Sequence, residues 1–69
     1  MTLYNLNKED RCTIISIPNV MLLESLGIRK GLSIKIKNKQ PLGGPIILQL
    51  GTRSIAIGKA IAKQILVEV

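Results

Sequence analysis

The stretch LSIKIKNKQPLGGPIILQL, residues 32–50, narrows the fold more than any other feature of the chain. Leu32, Ile34 and Ile36 alternate with Ser33, Lys35 and Lys37 at period two, which places one set of side chains in a core and the other in water. Beyond the Pro-Leu-Gly-Gly-Pro knot, Ile46, Leu48 and Leu50 share one face while Ile47 and Gln49 share the other. The pattern is that of two strands joined at a hairpin tip, with glycine supplying positive φ and Pro41 and Pro45 fixing the entry and exit.

A glycine pair can also cradle phosphate, but that requires backbone N–H groups and a helix N-terminus converging on the anion. Gly43 and Gly44 are followed by Pro45, which has no N–H, and then by a strand. The hairpin reading stands.

The flanking segments extend the pattern. RCTIISI, residues 11–17, is dense in β-branched residues and is stopped by Pro18, as a first strand would be. Asn19 is placed to cap a short helix carrying Met21, Leu22, Leu23 and Leu26, closed by Gly27. After the GTR turn, SIAI pairs back on the hairpin, GKAIAKQ suits one or two helical turns, and QILVEV ends the chain as a strand with Ile65, Val67 and Val69 on one side. Tyr4 is the one aromatic residue, so the core must be packed from branched aliphatics, which favours strands. Sixty-nine residues allow one domain, residues 1–69, with a single core. The expected fold is all-β with short helical inserts, a small SH3-like barrel of five strands that leaves few long edges unpaired.

The same residues restrict the chemistry. The chain has no histidine and four carboxylates, of which Glu9 and Asp10 are neighbours that point apart in an extended segment, while Glu24 and Glu68 lie on different elements. Spacing yields no acid–base pair, and Cys12 has no imidazole to activate it, so Cys12 reads as a small buried hydrophobe and the chain as a non-enzyme without a cofactor. A single cysteine excludes an internal disulfide and a Cys-rich zinc site, and scattered carboxylates make a poor site for a hard cation. MTLYNLNKED lacks an apolar leader core, and no run approaches the roughly 18 apolar residues of a membrane span. The expected location is the cytoplasm.

Ten Lys and Arg against four Asp and Glu leave a net charge of +6, which draws the chain toward nucleic acid, anionic lipid or an acidic protein face. Arg29, Lys30, Lys35, Lys37 and Lys39 are half of the ten basic residues. Either they form a solvated strand face that guards an edge, or they form a docking face, together with Leu42, Gly43 and Gly44 at the tip. Barrels that bind nucleic acid usually add aromatic side chains for base stacking, and Tyr4 is the sole candidate. A nucleic-acid-binding SH3-like or Sm-like barrel is therefore the alternative rather than the first expectation.

Leu3-x-x-Leu6, the strand ending IISI, the LLESLGI helix, Gly31 two residues after Arg29, the PLGGPI hairpin and SIAIGKAIAKQILV resemble the FeoA family in order and spacing, over roughly residues 3 to 67. Glu9 departs from it, standing where that family commonly has glycine. The resemblance implies a five-stranded SH3-like barrel and a role beside FeoB, the membrane GTPase-permease of ferrous iron uptake; the positive charge adds an anionic membrane surface as a further candidate partner. The resemblance also implies kinship with the C-terminal domain of metal-dependent repressors, hence a metal-sensing alternative, and it carries the family-level term of transition metal binding.

Overall fold

A computed structural model describes residues 1–69, and both alternating runs are strands in it. A single 3-10 turn, Leu3–Asn5, precedes β1 (Arg11–Ser16), α1 (Met21–Ser25), β2 (Ser33–Lys39), β3 (Ile46–Leu50), β4 (Arg53–Ile57), α2 (Lys59–Ala62) and β5 (Leu66–Glu68). All neighbouring strands pair antiparallel, in the spatial order β4-β3-β2-β1-β5. This is the expected five-stranded SH3-like architecture with short helical inserts.

Period-two alternation builds the core directly. Ile34 and Ile36 on β2, Ile46, Leu48 and Leu50 on β3, and Ile55 and Ile57 on β4 all point inward, joined by Cys12 and Ile14 from β1 and Val67 from β5. Leu3 and Leu6 plug one end, while Leu23, Ile28, Ala62 and Ile65 come from the helical inserts and their flanks. No polar or charged residue is buried, so the hydrogen-bonding demand of the interior is that of its backbone, met by the strand ladders and turns.

Two edges result, and they are treated differently. β5 lies beside the N-terminal segment: Val67 N–H donates to Met1 O at 2.9 Å, Leu3 N–H donates to Ile65 O at 2.8 Å, and Thr2 bridges Leu66. β4 pairs with β3 alone. The barrel is thus curled but does not close between β4 and β5.

Three local expectations are corrected. Asn19 does not cap α1; the N-cap position is Val20, with no side-chain cap bond, because the helix is a single turn held by Leu23 in the core. Met21 and Leu22, expected on the apolar face, are 81% and 54% exposed, since so short a helix turns only one side chain inward. Val69 is 73% exposed because β5 ends at Glu68. Gly27 does close α1 with a left-handed φ of +82°, as read from the sequence. Glu9 adopts φ +76°, a left-handed conformation that glycine takes with less strain, and its N–H donates to Ile36 O at 2.8 Å.

Candidate docking surface

The basic residues singled out in the sequence fall into three places. Arg29 and Lys30 are exposed on the turn leading from α1 to β2. Lys35 and Lys37 stand on the outer face of the sheet. Lys35 lies in register between Arg11 and Gln49, its Nζ 3.0 Å from Glu9 Oε2, and Lys37 Nζ donates to Ser54 Oγ on β4 at 3.1 Å. The ammonium of Lys35, by hydrogen bond and then by charge, holds the Glu9 carboxyl below its ordinary value.

Lys39 departs from this row. The β2–β3 register shifts between Ile36 and Asn38, so Asn38 faces Ile47 and Lys39 faces the buried Ile46. One extra residue in a strand reverses the facing of everything after it. Lys39 is thereby directed toward the N-terminal turn, where its Nζ donates to Tyr4 O at 2.7 Å and sits 4.7 Å from the centre of the Tyr4 ring. The alternating lysines of the sequence therefore serve two surfaces, Lys35 and Lys37 on one and Lys39 on the other.

The knot is the hairpin tip that the prolines and glycines imply. Gln40 N–H donates to Pro45 O at 3.1 Å and Gly44 N–H donates to Pro41 O at 3.3 Å. Gly43 has φ +78°, and a Cβ on Gly44 would lie 2.6 Å from Gln40 Cβ, so no larger residue fits there without movement. Leu42 also takes a left-handed φ, +60°, and its relative exposure is 103%. A fully solvated leucine on a backbone that leucine disfavours contributes nothing to the core.

Sequence reasoning missed Lys59. Its side chain runs past Gly43, and its Nζ is 5.7 Å from the Tyr4 ring centre, so the ammonium groups of Lys39 and Lys59 share one aromatic ring. No spacing rule links Tyr4, Lys39 and Lys59, which meet only because α2 returns the chain across the barrel end toward the 3-10 turn. Cys12 is buried in the core, and desolvation, followed by the nearby Asp10 charge, pushes its thiol above the ordinary value.

A family model for the FeoA domain matches residues 1–69, the whole of the chain described above. This chain belongs to the FeoA family. FeoA proteins are small SH3-like proteins of ferrous iron transport. The fold is shared closely with an iron uptake regulatory protein, FeoA, at 30% identity over 99% of this chain and 93% of that one, TM-score 0.88. A FeoA-like protein from Clostridium acetobutylicum is 34% identical over 100% and 85% of the two chains, TM-score 0.85. A zinc-complexed FeoA from Stenotrophomonas maltophilia, described as an SH3 domain protein, is 26% identical over 99% and 89%, TM-score 0.81. ScaR with bound zinc is similar in fold alone, at 21% identity, with this chain matching 36% of its length and a TM-score of 0.86. No curated protein matches the sequence.

The donors of this FeoA chain do not fit a transition metal held by one copy. Histidine is absent, Cys12 is sealed in the core, and no three Cys, Asp or Glu side chains converge. Glu9 is engaged by Lys35, and Asp10 Oδ2 accepts from Asn7 N–H at 2.8 Å. No helix is long and apolar enough to cross a membrane.

Proposed function

We propose that this FeoA chain is an accessory module of ferrous iron uptake that docks on the cytoplasmic part of a FeoB-type membrane GTPase-permease through its β2–β3 tip. One observation carries the reading: Leu42 is 103% exposed on a left-handed backbone, next to Gly43, past which the Lys59 side chain runs. An exposed apolar side chain at a hairpin tip is suited to filling a partner pocket, and the nearby Lys59 ammonium suits an acidic rim that steers encounter. Strain retained at a solvent-facing position points to use rather than to stability.

Without gathered catalytic groups, such a module acts by binding one state of its partner better than another. Docking then shifts the permease between nucleotide-bound or gate states by the difference in affinity. The test is capture of the cognate permease by immobilised wild type, Leu42→Ala and Lys59→Glu. Capture should fall at least tenfold for Leu42→Ala and should weaken for Lys59→Glu, more so at low salt. Full capture by both variants refutes the tip as the contact, and no capture by wild type refutes the role.

A further inference from the structure

The two sheet edges differ in one respect that the docking reading does not use. The outer edge of β5 is occupied by Met1–Leu3, whereas β4 has no strand beyond it. Which of its backbone groups are free follows from the turn. Gly51 and Thr52 form a two-residue loop with Gly51 at φ +62°, so Leu50 and Arg53 are the closing, mutually hydrogen-bonded pair. Pairs then alternate along the ladder, so Leu48–Ile55 and Ile46–Ile57 are bonded, while Ser54 and Ala56 direct their N–H and C=O away from β3. Neither residue makes a backbone bond elsewhere, and both side chains are small and exposed. Natural edges are usually blunted by a proline, a charge or a covering strand; β4 has no proline and no strand beyond it, and its one charged residue, Arg53, stands at its start, turned to Leu26 O.

Charge selects the occupant. From Ser25 to Val67 the chain holds eight of its ten Lys and Arg and none of its four Asp and Glu. The residues around β4 share that bias: Lys37 bonds Ser54 Oγ, Arg53 opens the strand with its Nη2 on Leu26 O at 3.1 Å, and Lys59 follows it. A second copy of so basic a chain would bring like charges together along the edge. We infer that the outer edge of β4 is a site of strand addition for an extended acidic segment of a partner protein, whose backbone pairs with Ser54 and Ala56 while its alternate carboxylates share the outer face of the sheet with Lys37.

The inference stands apart from docking at the hairpin tip, which the Leu42→Ala capture assay reads separately. Its probe is an acetylated, amidated hexapeptide alternating glutamate and valine, with a lysine–valine peptide as control. The readout is amide hydrogen exchange at Ser54 and Ala56 by NMR. The acidic peptide should slow both amides at least tenfold at low salt, and the lysine peptide should leave them unchanged. Ala56→Pro removes an outward N–H without touching the β3 ladder, so it should abolish the slowing at Ser54. If that variant does not fold, the wild-type exchange decides alone. Three outcomes overturn the inference: no slowing, equal slowing by both peptides, or slowing without peptide that grows with protein concentration, which would mark the edge as a self-association site.

Discussion

Leu42→Gly separates what the hairpin tip does for the fold from what it does for a partner. Leu42 has lost no water on folding, its relative exposure being 103%, so truncation forfeits no burial. Its φ of +60° costs a residue bearing a Cβ about 1–2 kcal/mol, and glycine adopts it freely. Against this, glycine adds freedom to the unfolded chain worth about 0.4–1 kcal/mol. The difference leaves Leu42→Gly more stable by about 0.5–1 kcal/mol, which in a domain of this size raises Tm by about 2–6 °C. Leu42→Ala keeps the Cβ and the strained φ, so it should match wild type within about 0.5 kcal/mol. Urea unfolding followed by far-UV circular dichroism, with matched thermal melts, measures all three. Both variants should lose capture of the permease, and the glycine variant should do so while gaining stability. A loss of about 1 kcal/mol or more in Leu42→Gly would show that the side chain packs in solution, and the reasoning from exposure and strain would fail.

Ile36→Ala, at a position 0% exposed in the central strand, should cost about 2–5 kcal/mol in urea unfolding, a large share of the stability of so small a domain. Glu9 should titrate below its ordinary 4.5 by NMR, because Lys35 favours the carboxylate; the associated stability is in place above that value and is lost as pH falls through the lowered one. Lys35→Ala should return the Glu9 midpoint toward 4.5. Cys12 has the opposite sign: burial raises its thiol above 9.0, so its contribution is intact below that pH and is lost as pH climbs beyond, and alkylation of the native protein should be slow until denaturant is added.

Strand positions were legible because period-two alternation and burial are the same fact seen twice. Ile34, Ile36, Ile46, Leu48 and Leu50 all face inward as their spacing requires. The fate of Lys39 was not legible from the lysine spacing, since a single bulge reverses facing without changing composition. The one available signal was Asn38, a polar residue where continued alternation would place a core side chain. The α1 segment misled for a different reason. Its apolar residues were enough for a longer amphipathic helix, but at one turn the geometry buries Leu23 alone and gives Asn19 no N–H row to cap. The Tyr4, Lys39 and Lys59 grouping joins three distant segments, and only the completed fold brings them together.

The position of β1 between β2 and β5 has a consequence for a chain made from its N-terminus onward. β1 is translated early, yet β5, one of its two neighbours, lies roughly fifty residues further along the chain, Ser16 pairing with Leu66. Until β5 emerges, Met1–Leu3 also lack the strand they shield, so a nascent chain keeps one edge of the aliphatic-rich β1 unpaired while β2, β3 and β4 are already made. Completion of this small barrel is therefore gated by the emergence of β5, and a ribosome stalled before that strand clears the exit tunnel would hold a sticky, unfinished sheet.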